Sequence, residues 1–162
     1  MTLTECRKSL AQRMQETVAY SIAHVHDGGI PFSAFVINAH GHVIGRGVNR
    51  VRERRDPTAH AEVEAIRDAC RHLGMPQLHG MTLLASGEPC ALCYMSARYA
   101  GITRMLFAVD RHEAAAHGFD YRSNYALLAG DPLIWHGLQA EKLTVPDSLE
   151  PFLAFRTGPR AR

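Results

Sequence analysis

Two short segments, one with a histidine and one with two cysteines, constrain how this chain can fold. They are residues 60–62 (HAE) and residues 89–93 (PCALC). Cys90 and Cys93 are three residues apart on a predicted helix, so their sulfur atoms share one face. They lie in the first turn after a proline, where the helix dipole favours the thiolate form that binds zinc. If His60 adds its imidazole, the fold must bring two separate helix starts together.

A donor set of one nitrogen and two sulfurs suits zinc. Zinc prefers four ligands, so three protein ligands leave one position open, which distinguishes a catalytic zinc from a structural one. A water in that position has its pKa lowered to roughly 7. Glu62 could take a proton from such a water and pass it to a substrate. Residues i and i+2 of a regular helix do not share a face, so His60 and Glu62 both reach the metal only if the helix start is irregular or Glu62 approaches from the side.

A closed structural zinc site is the competing interpretation of these residues. Cys70 is ten residues after His60 on the same predicted helix, roughly 15 Å away, which excludes it as a fourth ligand. Cys6 and Cys70 fall on apolar helix faces and are predicted to be core residues. The remaining candidates for a fourth ligand are histidines that are predicted to lie at the surface: His24, His26, His72, His79, His112, His117 and His136. A glutamate two residues after His60 favours the catalytic site.

The spacing of apolar residues predicts strands alternating with helices over the first 110 residues. Helices are predicted over 3–25, from 56–58 to a stop at Gly74, and from 89–90 to about 100. Strands are predicted over 34–38, 43–48, 81–86 and 103–109, the first two forming a hairpin around His40 and Gly41. This alternation predicts an α/β sandwich with helices on both faces of one sheet.

The pattern weakens after residue 110. Helix or ordered loop is predicted over 111–117, a short helix over 119–128, a last strand over 138–145 and a last helical turn over 148–155. We therefore expect a single domain over residues 1–162 whose C-terminal segment, from about residue 111, is variable.

Composition limits the class of partner. The chain has 162 residues and a net charge of +2, which implies no strong attraction to nucleic acid or to a membrane surface. It has no apolar run near the ~18 residues of a membrane span, and its first residues do not resemble a secretory signal, so a cytoplasmic location is expected. Four cysteines in such a chain indicate metal or thiol chemistry before disulfides.

The two segments together resemble the H-x-E and P-C-x-x-C signature of zinc deaminases. The fuller match comprises residues 31–34 (PFSA), 47–49 (GVN), 56–62 (DPTAHAE) and 88–93 (EPCALC), and it resembles the cytidine deaminase-like superfamily. Within that superfamily the chain is most similar to the branch of guanine deaminases and tRNA adenosine deaminases. The resemblance covers residues 1 to about 110 well and the rest poorly.

The resemblance implies a fold, a cofactor and an assembly. It implies a three-layer α/β/α sandwich with a central mixed sheet of about five strands, and a homodimer. It implies one Zn²⁺ per subunit held by His60, Cys90 and Cys93, with Glu62 as the catalytic proton shuttle.

The resemblance also implies which residues contact the substrate. Asn49 matches an asparagine that hydrogen-bonds the base, although turn chemistry after a strand is the alternative. Phe32 and Ala61 are further expected contacts. Asp120 is the candidate for an acidic residue that accepts from N1–H and the 2-amino group of guanine, and the alternative is that it caps a short helix. Ser33 and Gly87 depart from the family pattern.

The expected reaction is hydrolytic deamination of a purine base, with guanine converted to xanthine and ammonia. The alternatives are deamination of adenosine in tRNA, of cytosine, of a nucleoside, or of a triazine such as ammeline. A non-catalytic zinc protein is the alternative from another class. The basic cluster for tRNA would be Arg46, Arg50, Arg52, Arg54 and Arg55. Glu53 and Asp56 interrupt it, so a solvated loop is the favoured interpretation.

Overall fold

A mixed four-stranded sheet forms the centre of the chain in a computed structural model, which describes the backbone of residues 3–158 and the side chains of residues 10–158. The strands are β1 (Ser33–Ile37), β2 (Val43–Val48), β3 (Thr82–Gly87) and β4 (Arg104–Val109). Their order is β2-β1-β3-β4. β1 is antiparallel to both β2 and β3, and β3 is parallel to β4. The predicted hairpin and the mixed character of the sheet are confirmed.

The strand predicted over 138–145 is wrong. That segment has no regular structure, so the described part of the chain holds four strands where about five were expected. A short run with a few apolar residues cannot be recognised as a strand from its pattern alone, because a strand also needs a neighbour to pair with. None of the described strand pairings involves this segment.

Six α-helices accompany the sheet in the described residues. They are α1 (Leu3–His26), α2 (Val51–Arg54), α3 (Ala61–Leu73), α4 (Ala91–Tyr99), α5 (Arg111–Ala116) and α6 (Glu150–Thr157), and 3-10 helices cover Arg122–Ala129 and Pro132–Ile134. The short α2 was not predicted, and α3 begins after the predicted start at 56–58. The Asp56 carboxylate accepts from the backbone N–H and the hydroxyl of Thr58, at 2.8 and 2.7 Å. This local turn competes with the helix and delays its start.

The side chains of the sheet alternate between two apolar layers. Ala34, Val36 and Leu83 pack with residues of α3 and α4 in one buried cluster. Phe35 and Leu84 belong to a second cluster, against which Leu10 and Met14 of α1 pack. The period of two along each strand thus buries both faces of the sheet. The predicted three-layer α/β/α sandwich is confirmed.

Two glycines of β2 let α3 lie directly on the sheet. A Cβ atom at Gly45 would collide with the carbonyl oxygen of Ala65, and one at Gly47 would collide with the carbonyl oxygen of Ala61. Glycine at these positions allows backbone to approach backbone. The contact at Gly47 fixes the first turn of α3 against the end of β2.

The chain divides into two compact units, Met1–Leu128 and Ala129–Arg162. The sheet and helices α1 to α5 belong to the first unit, and α6 belongs to the second. In the second unit several large apolar side chains are exposed, among them Ile134, Leu143 and Phe155. Across the described residues, every helix is too short or too polar to span a bilayer.

Candidate metal centre and active site

Two helix starts meet at one point of the first unit. His60 is the N-cap residue of α3, with φ −70° and ψ 153°, and Cys90 is the N-cap residue of α4, with φ −74° and ψ 177°. Both residues are therefore extended and precede the first regular turn. Since His60 is not part of the helix, the rule that separates i and i+2 does not apply to His60 and Glu62. The irregular start that the sequence required is present.

His60, Cys90 and Cys93 form a compact triangle of donor atoms. The Nδ1 atom of His60 is 3.4 Å from the Cys90 Sγ and 3.5 Å from the Cys93 Sγ. The two sulfurs are 3.6 Å apart. Ligands around a tetrahedral zinc ion, at about 2.0 Å for nitrogen and about 2.3 Å for sulfur, are separated by roughly 3.5–3.8 Å. The three donors fit zinc in both chemistry and spacing, and among the described residues they are the one such group.

The two cysteines differ in acidity. A hydrogen bond from Cys93, supported by one from His60, lowers the pKa of the Cys90 thiol to about 4. The same interaction between the sulfurs raises the pKa of Cys93, because that thiol keeps the shared proton. The interaction with Cys90 also raises the pKa of His60. A divalent cation would replace these protons and hold both sulfurs as thiolates.

Glu62 lies beside the triangle. Its Oε2 atom is 3.2 Å from the Cys93 Sγ, and the residue is only 5% exposed. Burial raises the pKa of Glu62 to about 7, because the charged form loses its hydration. A carboxyl group with this pKa can both accept and donate a proton near neutral pH.

A cavity of about 100 Å³ opens onto these groups. It is lined by Phe32, Asn49, His60, Glu62, Glu88, Cys90, Cys93, Tyr121 and Asn124. Phe32 meets Phe119 edge to face at 5.3 Å and Tyr121 at 6.4 Å between ring centroids. A Cβ atom at Gly87 would lie 2.8 Å from the Phe32 ring, so the unusual glycine there makes room for Phe32. The cavity thus combines an apolar wall with polar groups around the donor triangle.

Three contacts hold Asn49 in place, two through its backbone and one through its side chain. Its N–H donates to the carbonyl of Phe32 at 3.0 Å, and its side-chain oxygen accepts from the N–H of Val51 at 3.1 Å. The His24 Nε2 atom lies 2.8 Å from its carbonyl oxygen. His24 is only 8% exposed, so the prediction that it lies at the surface is wrong. The reason is that an imidazole can satisfy a buried carbonyl across two elements, which helical spacing does not reveal.

Ala61 and Asp120 do not line this cavity. Ala61 is fully buried in the core beneath β2. The exposed Asp120 carboxylate accepts two hydrogen bonds from the Arg122 guanidinium, at 2.9 and 2.7 Å. This ion pair and a backbone hydrogen bond from Arg122 lower the pKa of Asp120 to about 2.

Sequence reasoning missed the contribution of Glu88 and Tyr121. The Glu88 carboxylate accepts from the Arg111 guanidinium at 2.7 Å, and the hydroxyl of Tyr125 donates to the carbonyl of Pro89 at 2.6 Å. The Arg111 guanidinium lies over the Tyr125 ring, 3.6 Å from its centroid. Glu88 lies inside the matched motif, and Tyr121 and Tyr125 lie inside an aromatic-rich segment. Neither the motif nor the aromatic composition indicates that these two parts of the chain are in contact.

Comparison with known proteins extends the likeness beyond the donor triangle. Residues 5–109 match the cytidine and deoxycytidylate deaminase zinc-binding region. The chain is 37% identical to guanine deaminase of Bacillus subtilis (strain 168) over 128 residues, which is 79% of this chain and 81% of that protein. It is 38% identical to the tRNA-specific adenosine deaminase of Aquifex aeolicus (strain VF5) over 85 residues, 52% of this chain and 56% of that protein.

The solved structures agree with the sequences. The X-ray structure of guanine deaminase from Bacillus subtilis superposes with a TM-score of 0.81 at 31% identity, over 100% of this chain and 98% of that one. The similarity therefore includes the region after residue 109, where the family match ends.

Proposed function

The chain belongs to the cytidine and deoxycytidylate deaminase zinc-binding family, and on that premise we propose that it converts guanine and water to xanthine and ammonia. One observation carries the reaction class. The buried carboxyl of Glu62 contacts the donor triangle at the wall of a cavity that also exposes polar groups such as Asn49. The likeness to guanine deaminase over the whole chain supports guanine as the substrate.

His60, Cys90 and Cys93 would hold the metal. A zinc ion bound there acts as a Lewis acid that activates water for attack on an electron-poor ring carbon. Glu62 would accept the proton of that water and deliver it to the ring nitrogen beside the attacked carbon. It would then take the second proton of the water, from the hydroxyl now bound to that carbon, and give it to the amino group, so that the C–N bond breaks and ammonia leaves. Its pKa of about 7 suits both directions of transfer.

Asn49 and Phe32 would orient the base. The side-chain oxygen of Asn49 is already bound by Val51, so its amide nitrogen is the group that can donate to a ring nitrogen or carbonyl oxygen of the base. Phe32 offers an aromatic surface to the heterocycle, and Phe119 supports it from the other side. Turn chemistry and base binding are therefore compatible roles for Asn49.

Asp120 and Ala61 are also proposed contacts of the substrate, although neither residue lines the cavity. Asp120 would reach the N1–H and 2-amino group of guanine only after leaving Arg122, whose guanidinium now donates to its carboxylate. Ala61 would contribute through its backbone, since its side chain is buried.

We also propose a homodimer in the cytoplasm. Leu92, Met95 and Tyr99 form an exposed apolar stripe on α4, with Tyr99 76% exposed. A stripe at this spacing suits helix packing against a second copy. Zinc binding needs Cys90 and Cys93 as reduced thiols, which the cytoplasm maintains. Light scattering of the zinc-loaded protein tests the dimer.

Ammonia release by the zinc-loaded protein tests the substrate. The panel comprises guanine, guanosine, adenine, cytosine, cytidine, ammeline and tRNA. We expect release from guanine, with Glu62→Gln as the inactive control. Release from another member alone would refute guanine and keep the zinc chemistry. If the protein has its full zinc content and releases ammonia from no member of the panel, the proposal is refuted.

A tRNA adenosine deaminase is the second candidate. The identity to the Aquifex enzyme and the arginines around Arg50 favour it. It requires binding of tRNA that weakens steeply as salt rises. The absence of tRNA binding at low salt would eliminate it.

A further inference from the structure

A second polar cavity, of about 120 Å³, is lined by the chain neighbours of Asn49, Val48 and Arg50, but not by Asn49 itself. Four arginines from three parts of the fold line it: Arg46 of β2, Arg50 before α2, Arg54 of α2 and Arg71 of α3. The basic cluster noted in the sequence thus divides into two sets. Arg46, Arg50 and Arg54 line the cavity, whereas Arg52 and Arg55 do not.

One buried carboxylate organises this cavity. Glu64 also lines it, and its side chain is only 6% exposed. One of its oxygens forms an ion pair with Arg54 at 2.5 Å, and the other accepts from Arg67 at 2.7 Å. Glu64 therefore fixes the Arg54 guanidinium in the wall, where an exposed arginine would otherwise move freely. No step of the proposed deamination uses Glu64.

The charges of the cavity are not balanced. Four arginines line it, and Glu64 is the single acidic residue of the lining. The Arg71 guanidinium lies 3.5 Å from the Asp68 carboxylate. Because this ion pair is exposed to solvent, it offsets little of the positive charge of Arg71. Neither Arg46 nor Arg50 has an ion-pair partner among the side chains that the structure describes.

The position of Arg46 is defined although it lacks a partner. Its guanidinium lies over the ring of Phe35, 5.5 Å from the centroid, and its backbone N–H donates to Asp68 at 2.9 Å. Stacking on an aromatic ring leaves the N–H groups at the edge of the guanidinium free to donate. The backbone of Arg50 is fixed as well, because its main-chain N–H donates to the carbonyl of Ala59 at 2.8 Å.

We propose that this arginine cavity binds a phosphate group. Planar guanidinium groups bind tetrahedral oxyanions with paired, charge-assisted hydrogen bonds, and several converging ones favour an anion over a neutral ligand. The phosphate can come from a small molecule or from the phosphodiester of an RNA strand. The proposal does not rest on the deamination reaction, because its readout is binding.

Isothermal titration calorimetry on the zinc-loaded full chain tests this site. The two probes, used separately at low salt, are inorganic phosphate and a five-residue oligouridylate. We expect saturable binding of at least one probe, weakened about ten-fold or more in both Arg46→Gln and Arg50→Gln. The matched control is Arg52→Gln, which removes the same charge from the exposed side of α2 and should change Kd by less than about two-fold. Circular dichroism melting verifies that each variant is folded.

Every outcome decides the proposal. Phosphate binding lost in both cavity variants supports the site with a small-molecule source, and oligouridylate binding alone, lost in the same way, supports it with an RNA source. Absence of binding overturns it. Binding that survives Arg46→Gln and Arg50→Gln, or that falls equally in Arg52→Gln, also overturns it, since the phosphate is then held elsewhere or by general surface charge. Arg50→Lys keeps the charge without the paired donors and should bind with intermediate strength.

Discussion

The hydroxyl of Tyr121 donates to the carbonyl oxygen of Glu88 at 2.7 Å, two residues before Cys90 of the donor triangle. This bond ties the segment after α5 to the loop that carries the metal ligands. Tyr121→Phe removes the bond and retains the ring that packs near Phe32. We expect kcat/KM on guanine to fall about three- to ten-fold, because one hydrogen bond contributes about 0.5–1.5 kcal/mol. Steady-state kinetics and zinc content measure this effect.

The control for that variant is Tyr20→Phe, which deletes a hydroxyl from a tyrosine of α1 that does not line the catalytic cavity. Zinc content should remain stoichiometric in both proteins. An unchanged kcat/KM in Tyr121→Phe would mean that the bond does not hold the cavity wall in place.

Glu62→Gln tests the proton transfer. The amide has nearly the same shape as the carboxyl but cannot carry the proton, so we expect deamination to fall by at least about 100-fold. Zinc should remain bound, because Glu62 is outside the donor triangle. Ammonia release and metal analysis give the two readouts. Glu16→Gln, at an exposed glutamate of α1, is the control. Turnover near the original rate would remove Glu62 from its assigned role.

Cys90→Ala tests the metal centre. We expect loss of zinc and a lower melting temperature, because the ion joins the starts of α3 and α4. A ligand present at about 1,000 times its Kd stabilises the folded state by roughly 4 kcal/mol, and this contribution disappears with the ion. Cys70→Ala should retain zinc, since Cys70 packs against the core instead. Stoichiometric zinc in Cys90→Ala would contradict the ligand set.

Zinc removal from the unaltered protein is a second test of the metal centre. Chelation should lower the melting temperature, and added zinc should restore it, whereas the melting temperature of Cys90→Ala should respond to neither treatment. A response of equal size in both proteins would indicate zinc binding elsewhere.

The Glu88–Arg111 ion pair predicts a dependence on pH. The hydrogen bond from Arg111 lowers the pKa of Glu88 below 4.5, so the pair stabilises the fold above that value and loses its contribution as the pH falls through the folded pKa. Arg111→Met should therefore melt below the unaltered protein at pH 7, with the gap closing below about pH 4. Both proteins are melted after removal of zinc by a chelator, so that loss of zinc in acid does not contribute to the gap. A gap that stays constant with pH would rule out this electrostatic origin.

Asp120→Asn tests base recognition. If Asp120 leaves Arg122 to meet guanine, the asparagine should weaken activity on guanine more than on any other base that is turned over. Arg122→Gln should lower the KM for guanine, because it releases the carboxylate from its present partner. Equal losses across bases in Asp120→Asn, together with an unchanged KM in Arg122→Gln, would remove Asp120 from recognition.

Local patterns predicted most of the first unit. Gly74, with φ 67°, ends α3 as its position indicated, and the hairpin turns at Gly41, with φ 78°. These features depend on the conformational freedom of glycine, which is visible in sequence. The pairing of Cys90 and Cys93 followed from spacing because they share one turn, and the place of His60 beside them followed from the resemblance to the zinc deaminase signature.

Contacts between distant segments could not be predicted in the same way. His24 and Asn49 are 25 residues apart, and Glu88 and Tyr121 are 33 apart. Each contact depends on how α1 or the segment after α5 packs on the sheet, which no periodicity encodes. The missing strand over 138–145 has the same cause, since pairing requires a neighbouring edge as well as a suitable sequence.

The donor triangle and Glu62 sit at helix starts that Gly47 and the sheet hold rigidly, whereas Tyr121 and Asn124 enter the cavity from a segment beyond the family region. The groups that would perform the reaction therefore lie in the family region, whereas part of the cavity wall is encoded by a separate stretch of the gene. Randomising codons 119–125 other than those of Tyr121 and Tyr125, which hold the loop before Cys90, would sample new cavity shapes while leaving His60, Glu62, Cys90 and Cys93 unchanged. The chain is therefore a convenient scaffold for laboratory evolution, in which selectivity can be rebuilt without redesigning the catalyst.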